Sequence, residues 1–216
     1  MRFVLTREML EAITFFICVF FGLSAGNAYA HIPYARPAAL TPPAVIQNFD
    51  QALLQAMHSG KLGGFSARYR ILSPVIHNSF ATKRIAQLLV GPAWSRFSPP
   101  EQTKLGILFE RYTIANYASQ FRRFHGETFK IIGTQPYPPY QVVVAKLFES
   151  NGHSHTFTYL MEPIQRQWKI VNIFVDGVSN IALMRSQYLY IVRKSGPEGL
   201  LHYLQSMITH LEKHKH

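Results

Sequence analysis

The sequence predicts an α+β domain in which helices cover one face of a curved, four-stranded antiparallel sheet. Three observations carry that prediction. Apolar residues recur at helical spacing up to about Phe124, and after Gly126 the pattern changes to four β-type segments joined by short links, which require antiparallel pairing. The last of these segments, led by Trp168, runs through Asp176-Gly177 toward an amphipathic helix.

Residues 1–30 read as a secretory signal. Arg2 and Arg7 make a positive start, Ile13 to Leu23 is an apolar run too short to span a bilayer comfortably, and Ala28-Tyr29-Ala30 is a small-x-small cleavage site before His31. The competing reading is an N-terminal membrane anchor, since Glu8 and Glu11 interrupt the charged start. Cys18, the only cysteine, lies inside the apolar run, so cleavage leaves a chain without thiols. Disulfides, thiol catalysis and cysteine-ligated metals are thereby excluded. Residues 31–216 have the length of one domain with a real core.

His31 to Leu40 reads as an irregular lead-in. Thr41-Pro42-Pro43 then starts a helix, because proline suits a first turn whose amides are unpaired, and Val45, Ile46, Phe49, Leu53, Leu54 and Met57 follow at helical spacing until Gly60 and Gly63-Gly64. A second helical region covers Phe65 to Val90, with a break expected near Pro74 and an end at Gly91-Pro92. Ser98-Pro99-Pro100-Glu101 has capping-box order. The helix that follows, to about Phe124, carries one stripe of Leu105, Leu108, Phe109 and Tyr112 and another of Ile107, Ile114, Tyr117 and Phe121. A helix wet on one face does not need both, so it is either sandwiched in the core or turned toward a cavity.

Thr128 to Gly133, Tyr140 to Glu149, His153 to Met161 and Trp168 to Val175 are the four strands. Helix returns at Ser179 to about Lys194, and after Gly196-Pro197 a last helix bears Leu200, Leu204, Met207, Ile208 and Leu211 on one side.

Two wordings stand out. The first is Phe80, Ile85, Ala86, Leu89, Gly91 and Trp94, then Ser98, Pro99, Glu101 and Gln102, then Phe109, Tyr112 and Tyr117. The second is Trp168-Lys169, then Val175-Asp176-Gly177-Val178-Ser179, then Arg185 and Gln187-Tyr188. In this order, between about Phe80 and Leu204, they resemble the MlaC family of periplasmic phospholipid-binding proteins, which includes toluene-tolerance and hopanoid-associated relatives. The chain departs from the family's usual leucine at Asn180 and usual tyrosine at Met184.

The resemblance implies a periplasmic carrier rather than an enzyme, with no cofactor. Its cargo is a phospholipid, or alternatively a hopanoid-like lipid, whose acyl chains sit in an apolar pocket between sheet and helices. The implied partners are an inner-membrane ABC transporter complex and an outer-membrane lipoprotein complex, with transient contact to a membrane surface. Such a cavity is physically required, since exposing hydrocarbon to water costs about 0.8 kcal/mol per methylene.

Strand alternation and the first helical stripe nominate the lining: Leu108 and Tyr112, Phe129 and Ile131, Val142 and Val144, Phe157, Tyr159 and Met161, and Val171, Ile173 and Val175. In the second strand Lys146 shares the parity of Val142 and Val144, which leaves Val143, Ala145 and Leu147 as the competing face. Every one of these residues also fits a plain packed core. Arg185 is the candidate for a phosphate headgroup; its other reading is an ion pair with Asp176 across the corner.

Charge permits other partners. Lys and Arg total 22 against 11 acids, and cleavage before His31 would remove two of each, so the net stays at +11 and favours membrane surfaces, phosphate headgroups or nucleic acid. The cations are dispersed and no nucleic-acid motif is present, which points away from nucleic acid; dispersed charge also serves solubility. His153 and His155 share a face, but two ligands without a third make no metal site. His210, His214 and His216 suit a solvated helix end. No hydrolase elbow, phosphate loop or zinc-protease helix occurs. An isomerase with one acid in an apolar pocket would rely on Glu149 or Glu162.

Overall fold

Thr41 has extended backbone and the two prolines behind it open α1 (Pro42–His58), which buries Val45, Ile46, Phe49, Leu53 and Met57. The computed structural model describes residues 40–59 and 63–213. Residues 1–30, read above as a secretory signal, with Cys18, most of the lead-in, Gly60, His214 and His216, lie outside the described residues. Among the described residues no helix is long and apolar enough to cross a membrane.

α2 (Gly64–Ser79) passes through Pro74 without ending there. The break falls instead at Phe80, whose backbone is extended and bridges Ile170, while the Ala81 amide donates to the Ile170 carbonyl at 3.0 Å. A proline removes one helical hydrogen bond, but pairing with a strand takes a residue out of helical geometry altogether. α3 (Thr82–Val90) follows, then a 3-10 turn over Gly91–Arg96.

The capping box forms at the start of α4 (Pro99–Gln120). Glu101 accepts from the Ser98 amide at 2.7 Å and from its hydroxyl at 2.6 Å, so the first turn is closed locally. α4 ends at Gln120, short of Phe124. It is packed on both stripes, with Leu105, Leu108, Phe109 and Ile114 buried, although Ile107 departs from the expectation and is 57% exposed.

The sheet runs in the order β1 (Thr128–Tyr137), β2 (Tyr140–Phe148), β3 (Ser154–Ile164), β4 (Gln167–Val175) and β5 (Val178–Ser179), with every neighbouring pair antiparallel. Among the described residues the sheet has five strands rather than four. Asp176 and Gly177 both have positive φ, 50° and 82°, the geometry of a two-residue hairpin turn, so the chain folds back as a short strand before the helix starts.

The helix-facing side of the sheet is set by Val143, Ala145 and Leu147 on β2, by Phe157, Tyr159 and Met161 on β3, and by Ile170 and Ile173 on β4. Phe129 and Ile131 pair with Leu147 and Ala145 and pack against the same core. Val142 and Val144 therefore face outward with Lys146, contrary to the sequence-based nomination, because a lysine head is far costlier to bury than a valine is to expose. On β4 the register shifts where Leu160 opposes Asn172 and Met161 opposes Ile170, leaving Val171 as the extra residue of a bulge. A second shift lies between Ile131 and Gly133. Bulges increase twist, and these two curve the sheet.

α5 (Asn180–Lys213) is two helices joined across a kink at Gly196, where φ 68° and ψ −172° are open to glycine and strained for other residues. Its second half buries Leu200, Leu204 and Ile208. At the centre of the core, the ring of Phe49 meets Phe80, Tyr117 and Tyr159 edge to face, with centroids 5.1, 5.3 and 6.4 Å away.

Candidate functional site

A cavity of about 400 Å³ lies between α4, β4 and the first turns of α5. α4 contributes Phe109, Tyr112, Thr113, Asn116, Tyr117 and Gln120, spaced so that successive turns present one side to the same space, and Phe121 follows just past its end. β4 contributes Ile170, Asn172, Ile173 and Val175, with Phe157 beside them on β3. Phe80 and Ile85 enter from the α2–α3 break and α3, and Asn180, Ile181, Leu183 and Met184 form the α5 wall.

The start of α5 is held by a local network. Asn172 donates to Ser179 Oγ at 3.0 Å and accepts from the Ile173 amide at 2.9 Å, and Ser179 Oγ accepts from the Ala182 amide at 3.2 Å. Ser179 thus caps the helix and ties it to the strand that forms the opposite wall. Thr113 donates to the Phe109 carbonyl at 2.7 Å, and Gln120 to Asn116 Oδ1 at 3.0 Å, so these lining groups spend donors on their own helix.

No lining residue carries a formal charge at neutral pH. Burial raises the Tyr112 and Tyr117 phenols, which stay neutral. Behind Tyr117 stands Asp50, among the described residues the one buried acid, which is 4% exposed and accepts from Tyr159 Oη at 3.1 Å. Burial pushes its carboxyl up from 3.8 to about 7, partly offset by the tyrosine hydrogen bond. Such a surface suits hydrocarbon. At the ~30 Å³ a water occupies in the liquid, the cavity holds on the order of 13 methylene-sized groups. At about 0.8 kcal/mol each, keeping them dry is worth on the order of 10 kcal/mol.

Four of the nominated residues line this cavity: Tyr112, Phe157, Ile173 and Val175. Phe129, Ile131, Tyr159, Met161 and Leu108 pack in the core around it without lining it. Val142 and Val144 are on the outer face, and Val171 is buried at the bulge away from the lining. Alternation missed the α4 side chains of the second stripe and the α5 wall. The signals for both were present: Tyr117 and Phe121 at helical spacing, and the departures Asn180 and Met184, which both line the cavity.

Arg185 does not pair with Asp176. Its Nη1 donates to the Leu88 carbonyl at 3.2 Å, satisfying the end of α3, and it lies against Gly91. Asp176 instead accepts from His155 Nδ1 at 2.7 Å and from the Thr156 amide at 2.7 Å, because the hairpin turn swings the carboxylate back over β3. His155 Nε2 faces Glu149 at 3.5 Å, so both ring nitrogens meet carboxylates, on opposite sides of the ring. Among the described residues no group of three or more potential ligands is arranged to hold a metal. Glu162 pairs with Arg84 at 3.1 Å, and neither it nor Glu149 lines the cavity, which removes the acids an isomerase reading relied on.

Comparison with known proteins gives three results. The sequence pattern of the MlaC protein family matches residues 47–206. Toluene tolerance protein ttg2D of Pseudomonas putida is 24% identical over 176 residues, covering 77% of this chain and 80% of the relative. The phospholipid-binding protein of Ralstonia solanacearum, solved in complex with a phospholipid, shares the fold with a TM-score of 0.66 and 19% identity, over 79% of this chain and 96% of the other.

Proposed function

We propose, since this chain belongs to the MlaC family, that it is a lipid carrier which shields acyl chains in the cavity between α4, β4 and α5. The cargo is a phospholipid, the carrier works in the periplasm after removal of residues 1–30, and it exchanges lipid with an inner-membrane ABC transporter complex and an outer-membrane lipoprotein complex. The Ralstonia protein of the same fold, which binds a phospholipid, supports the choice of cargo. The observation that carries the reading is a cavity walled by aromatic and branched side chains with no formal charge among its lining residues. Its volume accommodates about one acyl chain, so a two-chain lipid requires the α5 wall to move outward. Arg185, at the edge of that wall, is the side chain proposed to meet the headgroup phosphate.

The test is native mass spectrometry of protein purified from the cell envelope, followed by lipid extraction. The unaltered chain is expected to carry phospholipid. Replacing Ile173 and Ile181 together by Glu places two carboxylates against the hydrocarbon and is expected to abolish carried lipid, with the far-UV circular dichroism of the helices retained. A folded double variant that still carries the full complement of lipid refutes the cavity assignment.

A further inference from the structure

We propose that the exposed ridge of α5 from Leu183 to Lys194 is a docking surface for an anionic phospholipid bilayer, set at the rim of the cavity. The inference rests on the carrier reading and adds to it the surface by which the molecule meets its membrane.

The ridge begins with Leu183, which lines the cavity yet is 66% exposed, so it stands at the mouth. Tyr190, seven residues on, is 56% exposed. At about 100° per residue, positions 183, 190 and 194 fall within roughly 40° of one line along the helix. Lys194 completes that line with its Nζ 5.8 Å from the Tyr190 ring centroid, and Arg193 flanks it. An aromatic ring with a cation drawn over it is the arrangement a membrane interface favours: the ring sits at headgroup level and the ammonium reaches phosphate.

Charge selects the occupant. The segment from Asn180 to Ser195 carries Arg193 and Lys194 at the ridge and contains no acid, within a chain of net charge +11. The acid that follows the kink, Glu198, lies 4.0 Å from Lys104. Two large apolar side chains are too little for a stable protein partner, whose contact needs about 800 Å² on each side. They are enough for reversible insertion beside anionic headgroups. Ile181 and Met184, on the inward side of the same turns, line the cavity, so lipid leaving past Leu183 would emerge onto the docked surface.

The test is flotation of the signal-free chain with vesicles of phosphatidylcholine alone or containing phosphatidylglycerol, with carried lipid measured in parallel by native mass spectrometry. The unaltered chain is expected to float with the anionic vesicles and to be released by salt. R193E with K194E is expected to lower that partitioning at least about tenfold, and Y190S a few-fold. None of these three residues lines the cavity, so carried lipid is expected to be unchanged. Equal flotation with both vesicle types, or an undiminished R193E/K194E variant, overturns the proposal. So does a charge reversal that blocks lipid delivery while leaving vesicle partitioning intact, since the ridge would then serve a protein. A loaded chain that ignores vesicles sinks this surface alone, whereas an empty chain that binds anionic vesicles sinks the carrier reading and leaves the surface standing.

Discussion

Replacing Asp50 by Asn tests the description of the core behind the cavity. In the folded state burial raises this carboxyl from 3.8 to about 7, so between those values the folded chain holds a proton that the unfolded chain releases. Stability is therefore full below about pH 4 and falls by about 1.4 kcal/mol per pH unit as pH rises, until the folded value is passed. Over the window from pH 5 to pH 7 the loss is about 2 kcal/mol, a large share of the 5–15 kcal/mol that typically holds a domain together. Asparagine keeps an acceptor for Tyr159 and cannot ionise. Its amide leaves a donor in the core at a cost of about 1–3 kcal/mol, which is independent of pH. The measurement is urea denaturation of both proteins at pH 5 and pH 8. The difference between variant and parent is expected to shift in favour of D50N by about 3 kcal/mol across that interval, equivalent to roughly 6–12 °C in melting temperature. Parallel pH profiles would show that Asp50 is not held protonated by burial, and the reasoning about this core would fail.

Two further outcomes follow from local geometry. Gly91 has φ +52°, and an added Cβ would lie 2.6 Å from Arg185 Nη2, so G91A is expected to cost roughly 1–3 kcal/mol in urea denaturation. Because the guanidinium can move, R185A should recover little of that loss; full recovery would place the penalty in the contact instead of the backbone. His155 is raised by its hydrogen bond to Asp176, and Asp176 is lowered by the same bond. Their mutual stabilisation is thus present above the carboxylate's 3.8 and below the imidazole's 6.5, and it is lost as pH rises through the elevated histidine value. Measured in a D50N background, D176N should cost at most about 1 kcal/mol at pH 6 and less at pH 9, the pair being half exposed. A cost that grows toward pH 9 would contradict the assignment.

Local chemistry was readable along the chain. The proline pair before Val45, the Ser98–Glu101 box and the glycine at 196 each act within one turn of backbone, so their effects need no distant partner. Short links likewise dictated antiparallel strands. Lys146 held the answer to the facing of β2, since its parity excluded Val142 and Val144 from the core side. The bulge at Val171 was hidden, because one unpaired residue reverses alternation without any change in residue type. Asp176-Gly177 reads as a turn, but the fifth strand that follows it exists only by pairing with β4.

The sequence by itself determined the helices, the four long strands, their order and pairing sense, and the family, because periodicity, caps and turn chemistry are properties of neighbouring residues. Tertiary structure alone decided which side chains meet at the cavity. Phe80, Tyr117, Asn172 and Met184 are far apart in the chain and come together only when α4 and α5 close over β4. A hollow is the space that packing leaves between elements, and no single stretch of sequence contains it.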